Sequence, residues 1–265
     1  MKKIFSILIT LIVSLPVFAV DYAEGKKAFS SGDYQKATDI FGELLKRDSN
    51  SAALLYDLGT AYAAQGNLGL GRLYLERAGR IDPGNGNIRA NLEYVSSRVD
   101  DANRASMTGK RGSVEPDARG FLGDMHHTVA SDYTSNYWAA FAVMAFILCL
   151  GSIALYLFPS NISARKVGFF GALLFLFFTG VFLTFSVMAA NQANSREYGI
   201  ITAYKYELLE EPESKSKPAC SPLTQGTKVR IVSEESDVEG NVAWYKVRLN
   251  SGYLGWIPAS DLEVI

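Results

Sequence analysis

The side chains that could support catalysis are few and lie far apart in this sequence. Its two histidines are adjacent, at His126 and His127, and its two cysteines are Cys149 and Cys220. No GxSxG, HExxH or P-loop pattern is present. Adjacent histidines diverge on a helix or strand, and Cys149 lies within an apolar run, so no metal site is indicated. We expect no enzymatic activity, no cofactor and no metal; the alternative is a hydrolase that uses Cys220 with His126.

Charge and composition bound the class of protein. The formal net charge is −1, which argues against a nucleic-acid binder because such proteins carry a basic face or tail. The length of 265 residues allows two modest domains. The mean hydropathy of +0.07 is high for a chain with 20% charged residues. The cause is local, because the apolar residues are concentrated in three segments.

The first apolar segment is typical of a secretory signal peptide. A cationic start precedes the apolar residues 4–15, and Pro16 precedes a small-residue cleavage signal that ends at Ala19. We predict that residues 1–19 are a signal peptide cut after Ala19. The alternative is an uncleaved N-terminal anchor.

The other two apolar segments are long enough to cross a membrane. Residues 137–158 and 167–190 contain no charged side chain, and about 20 apolar residues span the hydrocarbon core of a bilayer. We predict two transmembrane helices that form a hairpin around a loop at residues 159–166. Because no ionisable group lies within either helix, the hairpin is expected to be an anchor rather than a transport path.

Arg165 and Lys166, in the predicted loop, indicate the orientation of the hairpin. An excess of Lys and Arg marks cytoplasmic loops, and a secretory signal places the preceding segment on the exported side. We predict a multi-pass protein of the bacterial inner membrane, in contact with the lipid bilayer, whose N- and C-terminal domains lie in the periplasm.

Two stretches before the hairpin repeat a pattern at a fixed interval. GDYQKATDIFGELL begins at Gly32 and GNLGLGRLYLERAG begins at Gly66, 34 residues later. Paired amphipathic helices with this period predict a helical repeat array, and each pair buries its face by stacking on a neighbour. We predict a repeat domain at residues 20–99, closed by a capping helix at 87–99, and a linker at residues 100–136.

The repeat pattern resembles the tetratricopeptide repeat (TPR) family in a fixed register. In the second repeat the matching residues are Leu58-Gly59, Tyr62, Gly66-Asn67, Ala78 and Pro83. The resemblance implies a concave groove that binds a peptide of a partner protein; the alternative is a stalk or spacer. The family's groove positions fall on Tyr22, Lys26, Phe29, Tyr56, Thr60 and Asn91. Lys26 is the only candidate for the basic clamp by which some relatives hold a carboxylate.

The C-terminal segment, residues 191–265, changes to short β-rich runs. Turn-rich stretches separate GIITAY, YELL, KVRIVS, WYKVRL and YLGWIP, and such short, evenly spaced strands predict a small all-β barrel. In WYKVRL, alternation predicts that Tyr245, Val247 and Leu249 share one face and that Trp244, Lys246 and Arg248 share the other.

The runs QGTKV, WYKV and GYLGWIP resemble the bacterial SH3-like family. That family binds cell-wall peptides or protein partners, which implies an aromatic binding surface here. Its candidate residues are Tyr204, Tyr206, Trp244 and Trp256. The alternative is that Trp244 and Trp256 mainly pack the fold. Asp261 stands where an aromatic residue is expected, which argues against recognition of proline-rich peptides.

The order of these modules resembles the BatE-type TPR/SH3 membrane proteins of the Bacteroides aerotolerance (Bat) operon. The clearest local matches are Ile200-Ile201-Thr202-Ala203, Glu211-Pro212 and Gly226-Thr227-Lys228-Val229. The expected fold class is a multidomain membrane protein with TPR helices, a two-helix transmembrane hairpin and an SH3-like barrel. The resemblance implies von Willebrand A-domain Bat membrane proteins as partners and a role in oxidative or envelope stress tolerance. We expect a scaffold; the alternative is a sensor or assembly factor that binds peptidoglycan.

Overall fold

The computed structural model describes residues 22–106, 133–220, 222–249 and 252–265. Their contacts divide them into two compact units. One unit contains the repeats together with the C-terminal β-rich segment, and the other contains the two apolar helices. The predicted signal peptide, His126, His127 and residues 107–132 of the predicted linker lie outside the described residues.

Five helices form the repeat domain, residues 22–106. They are α1 (22–30), α2 (Tyr34–Arg47), α3 (Ala52–Ala64), α4 (Leu68–Ile81) and α5 (Gly86–Ser106). Gly32 ends the first helix of one repeat and Gly66 ends that of the next, with φ of 82° and 90°. Glycine adopts this left-handed conformation without strain, which explains its recurrence at an interval of 34 residues. The predicted helical repeat region is thereby confirmed.

The second pair of repeated glycines allows helices to approach closely. A Cβ atom at Gly25 would lie 2.6 Å from the ring of Phe41, and one at Gly59 would lie 2.9 Å from the side chain of Leu75. Phe41 and Leu75 are themselves 34 residues apart and both are fully buried. Each repeat therefore fills the space above its glycine with the same large residue position, which sets the spacing of its two helices.

The capping helix is longer than its sequence pattern predicted. It continues past Val99 to Ser106, and both Val99 and Asn103 are buried. The predicted start of the linker at residue 100 is therefore wrong. The polar run DDANR has the composition of a tether, but Asn103 is buried because the C-terminal domain covers it.

Two long apolar helices form the second unit, α6 (Ser135–Leu157) and α7 (Ile162–Asn194). They are antiparallel and in contact, because Ser186 Oγ donates to the carbonyl of Ser135 at one end. Trp138 stacks on Phe182 in the same region, with 6.2 Å between the ring centroids. Both helices are long and apolar enough to cross a membrane.

The turn between these helices is shorter than predicted. Asn161 caps α7 by accepting a hydrogen bond from the backbone N–H of Ser163, so the helix begins at Ile162. Arg165 and Lys166 consequently lie in its first turns, and the prediction that residues 159–166 form the loop is wrong for these two cations. The helix also continues beyond the predicted limit of residue 190.

The C-terminal β-domain, residues 196–265, contains seven strands. They are β1 (Tyr198–Ile201), β2 (Lys205–Tyr206), β3 (Leu223–Thr224), β4 (Lys228–Ser236), β5 (Val242–Arg248), β6 (Leu254–Pro258) and β7 (Leu262–Val264). Five of them form an antiparallel sheet in the order β6-β5-β4-β1-β7, and β2 pairs with β3. A short helical turn, Ala259–Asp261, joins β6 to β7.

The alternation predicted for β5 matches the packing of the β-domain. Val247 and Leu249 are buried in its core, and Tyr245 packs against them from the same face. Trp244 and Lys246 lie opposite Pro258 and Trp256 of β6 and so share the outer face.

Candidate protein-binding surfaces

One end of the predicted groove is organised around Asp57, a residue that the sequence pattern did not select. Asp57 is only 5% exposed and accepts hydrogen bonds from Lys26 Nζ and from the Tyr22 hydroxyl, both at 2.7 Å. Burial raises the pKa of Tyr22 to about 12, assisted by the hydrogen bond to Asp57 and its charge. The charge of Lys26 is therefore already paired, so it is not a free clamp for a carboxylate.

The other end of the predicted groove joins α3 to α5. The Asn91 amide donates hydrogen bonds to the Tyr56 hydroxyl at 3.2 Å and to Thr60 Oγ1 at 2.9 Å. Phe29, by contrast, is half-buried and packs against Tyr34 of α2, with 5.4 Å between the ring centroids. Five of the six predicted groove residues thus belong to two hydrogen-bonded clusters, while Phe29 contributes to packing within the first repeat.

We call these two clusters together the groove network: Tyr22, Lys26, Asp57, Tyr56, Thr60 and Asn91. They lie on α1, α3 and α5, the first helix of each repeat and the capping helix. Their side chains are half-buried or exposed apart from Asp57. Such fixed hydroxyl, amide and ammonium groups can hydrogen-bond the backbone of an extended peptide. The use of the predicted groove positions for partner binding stays a prediction.

The aromatic residues predicted in the β-domain occupy different environments. Trp244 and Trp256 are half-buried on the outer face of the sheet, and Lys246 Nζ lies 5.5 Å from the ring centroid of Trp256. Tyr204 is 74% exposed. Tyr206 packs against the core, and burial, with the charge of Asp261, raises its pKa to about 12. Three aromatic side chains are therefore accessible, whereas Tyr206 is mainly structural.

The repeat domain and the β-domain share an interface that the sequence did not indicate. Its apolar part consists of Leu73 from α4, Ile200 from β1 and Ile265, all buried, with Leu70 and Tyr198 packed beside them. Burying aliphatic side chains of this size contributes roughly 1.5–3 kcal/mol each. The two domains are thus joined through a small hydrophobic core of their own.

Charged side chains surround this apolar core. Lys228 Nζ contacts both carboxylate oxygens of Glu76 at 2.9 and 3.0 Å, and Arg72 donates to the carbonyl of Gly226 at 3.0 Å. Burial by itself raises the pKa of Glu76, but the charges of Lys228, Arg72 and Arg80 outweigh it, so the pKa lies below its ordinary value. Glu76 is therefore held as a carboxylate that attracts Lys228 across the interface.

The end of α5 completes the interface. Asn103 is fully buried, donates to Thr227 Oγ1 at 2.9 Å and accepts from the backbone N–H of Thr224 at 2.8 Å. Gly226, with φ of 87°, lies so close to α5 that an added Cβ would be 2.8 Å from Val99. The loop between β3 and β4 is therefore fitted against the capping helix.

Comparison with protein families matches the chain to two modules. Residues 28–91 match the tetratricopeptide repeat, and residues 210–263 match the bacterial SH3 domain. These matches confirm the predicted TPR region and the SH3-like domain. A comparison with curated proteins finds no significant match. The BatE-type relationship stays a prediction.

Proposed function

We propose that this protein is a non-enzymatic, membrane-anchored scaffold that holds two protein-binding surfaces, the groove network and the outer face around Trp244, in one rigid body on the periplasmic side. TPR and SH3 modules bind proteins, and the two are present here together. The resemblance to BatE-type proteins makes von Willebrand A-domain Bat proteins the candidate partners, in an aerotolerance or envelope-stress complex.

The fused interface between the two modules is the observation that carries this proposal. It uses α4 together with Val99 and Asn103 of α5, whereas the groove network lies on α1, α3 and Asn91. Both candidate surfaces thus stay accessible while their relative position is fixed. Fixing two sites lowers the entropic cost of binding a partner at both of them.

The exposure of the apolar helices supports the membrane anchor. Phe170, Phe177 and Leu157 are 67%, 65% and 64% exposed, although soluble proteins rarely leave so large an apolar surface uncovered. A bilayer would cover these side chains. Arg165 and Lys166 at the turn favour a cytoplasmic position for that end, which leaves the TPR and SH3 modules outside.

The environment of Cys220 supports a non-enzymatic role. Its side chain is buried, and burial raises the pKa of its thiol. A catalytic cysteine acts as a thiolate and has a lowered pKa. Replacement of Cys220 by alanine should therefore leave function intact.

Co-purification from bacterial membranes tests the scaffold proposal. The paired change Lys26→Met with Asp57→Asn removes the groove charges together and keeps an acceptor for Tyr22. The matched control, Glu43→Gln with Lys46→Met, removes an exposed ion pair on α2. We expect the tagged wild type and the control to recover the same membrane proteins, and the groove variant to lose them. Recovery of no envelope protein by the wild type would contradict the scaffold.

A second candidate function, binding of peptidoglycan, is favoured by one observation. Trp244 and Trp256 lie on one exposed face beside Lys246, and aromatic faces pack well against sugars and peptide stems. In a pull-down with purified sacculi, this function predicts sedimentation of the wild type and release after Trp244→Ser. The control change is Val238→Ser, at an exposed position in the β4–β5 turn. A scaffold would stay in the supernatant.

A further inference from the structure

The turn between the apolar helices carries all the charge of its unit. Between residues 133 and 195 the only charged side chains are Arg165 and Lys166. Both are exposed, and no acidic residue lies anywhere in this segment to pair with them. An uncompensated positive charge beside a long apolar surface attracts an anion that is itself attached to an apolar group.

The packing of the two helices builds a pocket at this position. A Cβ atom on Gly168 would lie 2.5 Å from the backbone nitrogen of Tyr156, so the helices touch there backbone to backbone. Just beyond this contact, Phe169 packs against Tyr156 with 6.0 Å between the ring centroids. The Arg165 guanidinium lies over the other aromatic element of this cluster, 5.4 Å from the centroid of the Tyr156 ring.

The result is a cavity of about 280 Å³ that opens towards the surroundings of the hairpin. Its size is close to the lower limit, about 300 Å³, of small-molecule sites, which suits a headgroup rather than a whole lipid. The lining consists of Tyr156, Ile162, Arg165, Lys166, Phe169 and Phe170.

We propose that this pocket binds the headgroup of an anionic phospholipid. Arg165, held in place by Tyr156, and Lys166 donate hydrogen bonds to the phosphate oxygens. Phe169 and Phe170 contact the glycerol and the upper acyl carbons, and the exposed apolar side of α7 continues along the acyl chains. This inference rests on the membrane anchoring in the proposed function. It gives the two cations a binding role in addition to their effect on orientation.

The combination of groups favours a lipid over a free phosphate ion. An inorganic anion needs only donors, whereas half of this lining is aromatic. The aromatic rings would be wet without an apolar ligand, and a lipid supplies one attached to the charge. A zwitterionic lipid brings its own cation and therefore gains less from Arg165 and Lys166.

Competition between lipids in a purified preparation tests this site. The full chain is extracted in a neutral detergent, offered equal amounts of phosphatidylglycerol and phosphatidylcholine, and examined by native mass spectrometry. We expect the wild type to retain phosphatidylglycerol with a preference on the order of tenfold, as two cations near a headgroup provide. The change Arg165→Gln with Lys166→Gln should abolish that preference. The control, Lys215→Gln with Lys217→Gln, removes two exposed cations of the β-domain and should retain it.

A second variant keeps both charges and therefore the same orientation signal. Tyr156→Leu removes the ring beneath Arg165, and we expect the preference to fall roughly two- to fivefold. Equal retention of both lipids by the wild type would overturn the proposal, as would a preference that survives loss of both cations. Displacement of phosphatidylglycerol by millimolar inorganic phosphate would assign the site to a free anion and so overturn the lipid.

Membrane extraction separates this inference from the proposed function. Wild type and the Arg165→Gln, Lys166→Gln variant should both resist carbonate extraction, because the apolar helices hold them in the bilayer. Release of the wild type would overturn the anchor and the lipid site together. An anchored wild type without lipid preference would overturn only the lipid site.

Discussion

Asn103 shows how much one buried amide can do where two domains meet. Its amide uses a donor towards Thr227 and an acceptor towards the N–H of Thr224, and it is fully buried. Hydrogen bonds of this kind contribute little net when made, but an unpaired buried partner costs the full desolvation of that group. The residue therefore fixes the end of α5 against β3 more strongly than its single side chain suggests.

Replacing Asn103 by alanine should destabilise the protein by about 1–3 kcal/mol, because the Thr224 N–H would be left buried without its acceptor. The expected result is a lower midpoint in denaturant unfolding and faster hydrogen exchange at the Thr224 amide. Arg104→Ala is the control, since its pair with Asp101 is exposed on both sides and should matter by less than about 0.5 kcal/mol. Equal effects of the two changes would contradict a specific role for Asn103.

Asp57 determines the titration of its neighbour in the groove. The pKa of Tyr22 is raised to about 12, chiefly by burial and then by the hydrogen bond and charge of Asp57. Asp57→Asn keeps an acceptor but removes the charge, so the pKa of Tyr22 should fall while staying above 10. Titration of carbon-labelled tyrosine by NMR measures this shift, and Asp39→Asn on α2 serves as the control. An unchanged pKa would show that Asp57 does not face Tyr22.

At the scale of elements, the repeat pattern was predictable because its causes are local. Gly32 and Gly66 require a left-handed backbone, and Gly25 and Gly59 require room for Phe41 and Leu75. A 34-residue interval records both requirements. The alternation in β5 was readable for the same reason, since each strand face has one solvent or core environment.

The end of α5 and the start of α7 were predicted wrongly because their causes are not local. DDANR has a linker's composition, and only contact with the β-domain explains its helical conformation. Asn161 formed part of a sequon in the sequence, whereas in the structure it caps α7 and brings Arg165 into the helix. Asp57 was missed because its partners, Tyr22 and Lys26, come from another helix.

The loop between β3 and β4 provides a test of the fit between domains. Gly226→Ala introduces a methyl group 2.8 Å from Val99 and 3.0 Å from the carbonyl of Leu68, at a φ of 87°. Gly240→Ala meets the same backbone strain, with φ of 86°, but no neighbouring atom. Subtracting the two effects on unfolding isolates the clash, which should cost about 1–3 kcal/mol. Equal destabilisation by both changes would mean that the loop does not press against α5.

At the scale of the whole molecule, the TPR and SH3 modules form one body because charges distant in sequence meet. Glu76 and Lys228 are 152 positions apart, and neither stands out in its own segment. Both are mostly covered, with side-chain exposures of 13% and 31%. A pair of this kind depends on pH through its carboxylate, so acid should weaken the interface before it affects the cores of the two domains.

The sign of this dependence follows from the lowered pKa of Glu76. In the folded protein the carboxylate holds its charge below the ordinary value of 4.5, so the unfolded chain takes up the proton first as the pH falls. The stabilisation is complete above that value and disappears as the pH falls through the folded pKa. In thermal unfolding between pH 7 and pH 3, the wild type should lose more stability than Glu76→Gln, which has no proton to bind. Glu263→Gln, in a more exposed pair with Arg77, is the control and should follow the wild type. Parallel curves for the wild type and Glu76→Gln would show that the Glu76–Lys228 pair does not hold the domains together.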